Sequence, residues 1–343
     1  SGGGYFARHP HAPPTLYASR PLLEAEVRRR VLALPNVELC SGCNILGFES
    51  STDKLAVTGI RVQPHDQAED RVMHADLVVD ATGRGSRTPA WLEAIGYQKP
   101  LLELVEVDMG YASRLYERQP GDLCGDLMIN IAPTPHNRRA CGMLAQEGNR
   151  WLVTLAGYFG DHPPTDVDGF LAFAHKLPTG DVYDLIRSAR PLGDVVQYRF
   201  MANQRRRYEW LQSFPQGLLV IGDALCSFTP IYGQGMSVAA MQAMELRACL
   251  RHAQPGLARR YFKNVAALID NPWSLTVGND QRLAAAPQPL ARQALNWYMG
   301  RFQRAARYDS ELALAFGRVG NLVAPPTSLL HPRLAVRVFA ARA

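Results

Sequence analysis

No apolar run in this 343-residue sequence is long enough to cross a bilayer. The opening Ser1-Gly2-Gly3-Gly4 lacks the charged, apolar and small-residue series of a secretory leader and reads as a loop. Cysteine is scarce, with six residues, four of them scattered. Cys40-Ser41-Gly42-Cys43 has C-x-x-C spacing, but a zinc site would need a second pair and there is none. A thioredoxin-like pair would need a helix N-terminus, whereas this one lies between strand-like runs. Two reduced thiols near a turn are expected. Few cysteines and no leader predict a cytoplasmic location. There is no G-x-S-x-G elbow and no H-E-x-x-H helix, and the nine histidines are mostly isolated, so hydrolase and metal chemistry lack their residues. Basic residues outnumber acidic ones, 37 to 31, but no basic stripe interleaves with aromatics, which argues against a nucleic-acid partner. The clusters Arg28-Arg29-Arg30 and Arg205-Arg206-Arg207 read as solvated helix faces. No internal repeat or low-complexity segment is present.

Apolar residues make up 47% of the chain, enough for a substantial core. Ser19 is a good helix N-cap before Arg20 and Pro21, and Leu22, Leu23, Val27, Val31 and Leu34 recur at helical spacing. Strands are expected at Val37–Leu39, Ile45–Phe48 and Leu55–Val62. Leu77-Val78-Val79 has the unbroken apolar character of a fully buried strand. It runs into the glycine-rich turn Asp80–Ser86, followed by a short helix around Trp91–Ile95. From Val105 the pattern alternates, and strands at Leu127–Ile131, Ala140–Leu144, Trp151–Tyr158 and Val195–Phe200 with helices at Val167–Lys176 and Val182–Ser188 describe an antiparallel sheet with helices beside it. The remainder is mostly helical, broken by Pro255, Pro272, Pro287, Pro289 and Pro325-Pro326. The C-terminal Leu334, Val336, Val338 and Phe339 suit a weakly amphipathic helix, which could lie on a membrane surface but is expected to pack as a terminal helix.

Three segments carry chemistry. Gly217–Asp223 is a buried strand ending in a carboxylate, followed by a small-residue loop with Pro230 and by Gly233-Gln234-Gly235-Met236 at the start of a long helix. In open α/β sheets ligands bind beyond the carboxyl ends of strands. Asp223 there can accept hydrogen bonds from ribose or ribityl hydroxyls. Backbone N–H groups bared at the glycines suit a phosphate or a developing ring oxyanion. Gly83 and Gly85 in the Asp80–Ser86 turn allow either a tight turn or close backbone approach to a cofactor. Arg20 is a candidate phosphate ligand.

In this order the three segments resemble the FAD-binding core of the group A flavoprotein monooxygenases, the para-hydroxybenzoate hydroxylase superfamily, nearest to bacterial enzymes related to polyether-type epoxidases. Gly222-Asp223 with Pro230 and Gly233–Met236 is similar to the family's Gly-Asp motif. Asp76–Gly83 with Ser86 and Arg87 is similar to its second motif, although Thr82 stands where the family usually has aspartate. Ser19–Glu24 is similar to the segment whose arginine contacts FAD, and Asn44-Ile45 to the strand that passes the adenine. The tryptophan-rich motif of flavin halogenases is absent.

The resemblance implies an α/β fold. A FAD/NAD(P)-binding Rossmann-like domain (1–100 and 204–255) would carry an inserted antiparallel-sheet substrate domain (101–203) and a helical C-terminal region (256–343). It implies Arg20, Ile45, Thr82, Gly83, Asp223, Pro230, Gly233, Gln234, Gly235 and Met236 around FAD. Met109, Tyr111, Met143 and Tyr158 become candidate substrate-pocket walls. The implied activity is hydroxylation or epoxidation of an apolar or aromatic small molecule through a flavin hydroperoxide, with NADPH or NADH as electron donor and no catalytic side chain. A flavin-dependent reductase of an isoprenoid-like alkene, or a fragment that does not retain FAD, are the alternatives. The family's opening G-x-G-x-x-G strand and helix are not found here, so the βαβ unit that holds the ADP half of FAD is expected to be missing upstream.

Overall fold

The computed structural model describes residues 5–12, 15–251, 256–284, 287 and 289–341. In chain order the elements are α1 (Arg20–Leu32), β1 (Cys43–Ser50), β2 (Val57–Pro64), β3 (Arg71–His74), β4 (Val78–Asp80), α2 (Thr88–Ala94), β5 (Leu101–Glu117), β6 (Met128–Ile131), β7 (Arg139–Gln146) and β8 (Arg150–Tyr158). They continue with α3 (Val167–His175), α4 (Asp181–Ile186), β9 (Val196–Arg207), β10 (Leu218–Val220), β11 (Cys226–Ser227), α5 (Gly235–Cys249), α6 (Leu257–Leu283), α7 (Leu290–Ala305), α8 (Ser310–Gly320) and α9 (Pro332–Ala340). The chain divides into two compact units. One comprises Ser1–Arg29, Val107–Met201 and Val277–Ala343, and the other Arg30–Glu106 and Ala202–Thr276.

In the first unit β5, β8, β7 and β6 pair antiparallel in that order, with Ser113 opposite Thr154, Cys141 opposite Leu155 and Ile129 opposite Met143. One face of this sheet supplies Ala112, Tyr116, Ile129, Cys141, Met143, Trp151, Val153 and Leu155 to a core closed by Phe170 and Phe173 of α3 and Val182 and Ile186 of α4. The alternation of inward apolar and outward residues is what lets an antiparallel sheet keep one covered face. Asp166 caps α3 by accepting from the Gly169 N–H, and Asp309 caps α8 by accepting from the N–H groups of Glu311 and Leu312. At the start of the unit, Ala7 N–H donates to Ala306 C=O and Phe6 packs edge-on against Phe316.

In the second unit β1, β2 and β3 form an antiparallel meander. β4 and β10 pair parallel, Val78 opposite Leu218 and Asp80 opposite Val220. All three residues of β10 are buried, as the unbroken apolar run requires. Gly217 opens β10 at φ +72°, and a Cβ there would lie 2.3 Å from the Val57 carbonyl oxygen, so both the backbone conformation and the close approach of β2 demand glycine. Tyr208, Phe214 and Phe262 stack edge-to-face and face-to-face at the other end of these strands.

Several sequence expectations change. Val37–Leu39 is not a strand; these residues are largely exposed and find no ladder partner. β3 was not expected; its Arg71-Val72-Met73-His74 is too polar to show a pattern, and pairing with β2 defines it. Pro272 lies inside α6 rather than ending a helix, with the loss of one backbone hydrogen bond. Pro255 falls outside the described residues. Arg205, Arg206 and Arg207 are not a solvated helix face: they end β9 with their side chains largely withdrawn from water. Burial is tolerated because acceptors are built around them. Arg205 meets Asp270 at 2.8 Å and Glu209 at 3.3 Å, and Arg207 meets Glu103 through two 2.8 Å bonds. Among the described residues no helix is long and apolar enough to cross a membrane.

Candidate functional site

The site lies in the second unit, beyond the carboxyl ends of β4 and β10. Each strand delivers an aspartate there, but the two are used differently. Asp80 is buried and turns inward. Its carboxylate accepts from Thr82 N–H at 2.8 Å, Thr82 Oγ1–H at 2.6 Å, Thr88 Oγ1–H at 2.6 Å and Ser86 Oγ–H. Burial alone would raise its pKa, but the bonds from Ser86, Thr82 and Thr88 together outweigh burial and hold it below the ordinary aspartate value. Asp80 is therefore the hub that folds the 80–88 turn. The Thr82 hydroxyl is committed to that hub, while the residue itself is exposed.

Asp223 faces outward. It sits in a 3-10 turn, Gly222–Ala224, directly after β10, and is exposed. Gly222 takes φ +68°, and its N–H donates to Oε1 of the fully buried Gln242 on α5 at 2.7 Å. That bond ties the strand exit to the body of the helix. The start of α5 consequently comes close to the carboxylate: a Cβ on Gly235 would stand 3.9 Å from Asp223 Oδ1. The aspartate and the positive end of a 15-residue helix thus share one rim. Pro230, Gly233 and Met236 are exposed along that rim, and Gln234 is the N-cap residue of α5. Nothing lies within 4 Å of where a Cβ would stand on Gly83, Gly85 or Gly233. These three backbones are open to close approach by a ligand.

β9 is the element that joins the two motifs; a strand is expected from the sequence at Val195–Phe200, but not its continuation through Asn203 to Arg207. Asn203, fully buried, accepts from Thr229 N–H at 2.6 Å and Thr229 Oγ1–H at 2.7 Å. Arg206 donates to Ala224 C=O at 2.6 Å and to Arg84 C=O at 3.1 Å, and Gln204 donates to the same Arg84 carbonyl at 3.0 Å. β11 pairs with β9 through Cys226–Arg205 and Ser227–Gln204. The floor of the 222–236 loop is therefore buried and pinned, while its rim is exposed. Arg84 brings a guanidinium to the same place, 3.4 Å from Ser227 Oγ. Burial lowers its pKa, the neighbouring Arg206 lowers it further, and Asp223 opposes both. A polar run, Asn203–Arg207, continuing an apolar strand is the signal that could have marked β9.

The other candidates lie on other elements. Ile45 is on β1, paired with Val62 and partly exposed. Arg20 belongs to the first unit and is exposed at the first turn of α1. Ser19 caps that helix through Leu22 N–H, and the Ser19 hydroxyl, together with the Ser19 N–H that donates to Glu147 at 2.9 Å, draws the Glu147 carboxyl down to about 2. No residue of α1 is buried. Tyr111 stacks on Tyr198 with ring centres 5.5 Å apart. Burial raises the Tyr111 hydroxyl pKa, Tyr198 adds to this, and Arg20 counters it, which places Arg20 and Tyr111 within electrostatic reach of one another. Met109, Met143 and Tyr158 are fully buried, Met143 within the sheet core and Met109 opposite Tyr158 in the β5–β8 ladder. Of the four candidate wall residues, Tyr111 keeps the accessible face. Cys40 and Cys43 are free thiols at the surface, and no group of three or more metal-ligating side chains occurs among the described residues.

No family model matches this sequence. Protein Rv3254 of Mycobacterium tuberculosis is 35% identical over 316 residues, which cover 89% of this chain and 66% of that protein. The chain thus spans about two thirds of that relative's length. Among solved structures, HpxO of Klebsiella pneumoniae complexed with FAD and uric acid superposes with a TM-score of 0.56 at 18% identity, over 83% of this chain and 67% of its own. BrvH, a flavin-dependent halogenase from Brevundimonas sp. BAL3, superposes with a TM-score of 0.57 at 17% identity, over 98% of this chain and 63% of its own. The chain has the mixed α/β fold of these flavin-dependent proteins, with antiparallel sheets and a helical C-terminal region.

Proposed function

We propose that this chain supplies the flavin-facing half of the FAD site of a monooxygenase acting on an apolar or aromatic small molecule. One observation carries the reading. An outward carboxylate, a glycine-opened helix start and a second glycine turn are held together at the carboxyl ends of two parallel strands by hydrogen bonds from a single strand, β9. Open space at Gly83, Gly85 and Gly233 leaves their backbones accessible to the cofactor proposed.

Asp223 would accept hydrogen bonds from ribityl or ribose hydroxyls. The N–H groups of Gln234, Gly235 and Met236 would meet negative charge on the flavin ring or its pyrophosphate. Arg84, beside Asp223, adds a fixed cation to the same rim. Thr82 and Gly83 contribute backbone, since the Thr82 hydroxyl serves Asp80. Ile45, also in the second unit, is a further proposed FAD contact. Bound and reduced by NADPH or NADH, FAD would supply the dioxygen-activating chemistry; the protein's own part is to bind, orient and exclude water. Tyr111 would offer its face to the substrate.

Oxygen uptake tests the activity. With FAD and NAD(P)H added, consumption of dioxygen that rises with an apolar aromatic substrate supports a monooxygenase. Hydride use without stoichiometric oxygen uptake points to the reductase reading instead. Absence of any flavin binding at saturating FAD would sink both for this chain.

A further inference from the structure

A different part of the molecule carries an unpartnered surface. Trp297 on α7 and Phe339 on α9 are in contact, ring centres 6.2 Å apart, yet are 58% and 52% exposed. Val336, one helical turn before Phe339 on the same stripe, is 68% exposed, and Leu330, just ahead of α9, is 50% exposed. The opposite side of α9 is anchored by the fully buried Val338, and Tyr298 fixes the underlying turn by donating to Leu329 C=O at 2.8 Å. The apolar stripe is therefore held outward by packing. An exposed Trp–Phe contact with an exposed Val on the same stripe marks an interaction face.

Charge indicates what covers it. From Leu290 to Ala343 the sequence has eight arginines (292, 301, 304, 307, 318, 333, 337 and 342) and two carboxylates, Asp309 and Glu311. Both carboxylates are engaged, Asp309 by Arg337 at 2.8 Å and Glu311 by His9 at 3.1 Å. Arg301 donates to the Val338 and Phe339 carbonyls, which holds its guanidinium 5.5 Å from the Phe339 ring. Arg333 is exposed one turn before Val336, on the same stripe. An apolar patch centred on tryptophan and phenylalanine and rimmed by arginine complements an anionic lipid surface. A second copy of the chain would bring like charges together across the patch.

We propose that the α7–α9 face docks onto anionic phospholipid bilayers, with Trp297, Val336 and Phe339 entering the headgroup boundary and Arg301 and Arg333 meeting lipid phosphates. The inference does not depend on flavin binding, and its test uses none. Purified chain is sedimented with vesicles of phosphatidylglycerol and phosphatidylcholine, and with vesicles of phosphatidylcholine alone. Binding to the anionic vesicles, weakened by high salt, is expected. Val336→Asp should lower it at least tenfold, and Arg333→Ala about fivefold, the weight of one basic residue at such a surface. Both positions are exposed, so circular dichroism and the melting temperature should be unchanged. Equal binding to both vesicle types, no binding to either, or full binding by Val336→Asp would overturn the proposal. So would a concentration-dependent dimer that Val336→Asp dissolves in the absence of vesicle binding.

Discussion

Replacing Asp80 with asparagine removes a buried charge that organises the candidate site without facing it. The carboxylate is buried, and four donors converge on it: Thr82 N–H, Thr82 Oγ1–H, Ser86 Oγ–H and Thr88 Oγ1–H. Asparagine keeps one acceptor oxygen and puts an amide donor where the other stood. The oxygen that serves Ser86 and Thr88 is distinct from the one that serves Thr82, so whichever way the amide turns, one pair of donors loses its acceptor. A hydrogen bond to a charged partner is worth about 1.5–3 kcal/mol. Hydroxyl reversal recovers part of that, so a loss of about 2–3 kcal/mol in urea unfolding is expected for Asp80→Asn. Because the folded-state pKa is depressed, the wild-type advantage is complete above the unfolded value of about 3.9 and fades as pH falls through the lower folded value. The gap between wild type and Asp80→Asn should therefore be constant from neutral pH down to about pH 5 and shrink below about pH 4. A difference under about 0.5 kcal/mol at pH 7, within the range of ordinary surface changes, would refute the hub assignment. A gap that widens in acid would refute the sign of the charge argument.

Two further outcomes follow from the packing. A Cβ on Gly110 would stand 2.5 Å from His162 Cγ, whose ring is held by the Asp108 carbonyl at 3.0 Å. Gly110→Ala should cost about 1–3 kcal/mol by overpacking, and His162→Ala in the same chain should recover most of it; thermal unfolding of the single and double variants checks this. Cys141 is fully buried, which pushes its thiol up to about 12, whereas Cys40 and Cys124 are exposed. A thiol-reactive dye should label Cys40 and Cys124 in the native protein and reach Cys141 after denaturation; fast native labelling of Cys141 in a peptide map would contradict the described core.

Strong local patterns were legible in the sequence. The alternation of the middle segment gave β6, β7 and β8 within a residue or two, because each strand has one covered face and short polar turns beside it. The apolar runs before Asp80 and Asp223 gave β4 and β10; β10 is buried on both faces and needs no alternation, whereas in β4 the expected full burial does not hold, because Val79 is exposed. What escaped was set by tertiary partners. Arg205–Arg207 look like surface residues until Glu103, Glu209 and Asp270 are brought to them. Asn203, Gln204 and Gln242 make their bonds to backbone groups 20 or more positions away, and no local spacing predicts that. The helical period of α1 was correct, yet none of its residues is buried. Periodicity reports which face is apolar, not what meets it.

Flavin is proposed to sit on the rim formed by Asp223 and the start of α5. Titration of FAD fluorescence with the purified chain, alongside the Asp223→Ala variant, tests it most directly. Asp223 is exposed, so the variant should keep its melting temperature within a degree or two. FAD fluorescence should be quenched by the wild-type chain with saturable affinity, and Asp223→Ala should weaken this at least tenfold, the loss of one or two hydrogen bonds to a charged acceptor. Unchanged affinity in a folded Asp223→Ala variant would contradict it.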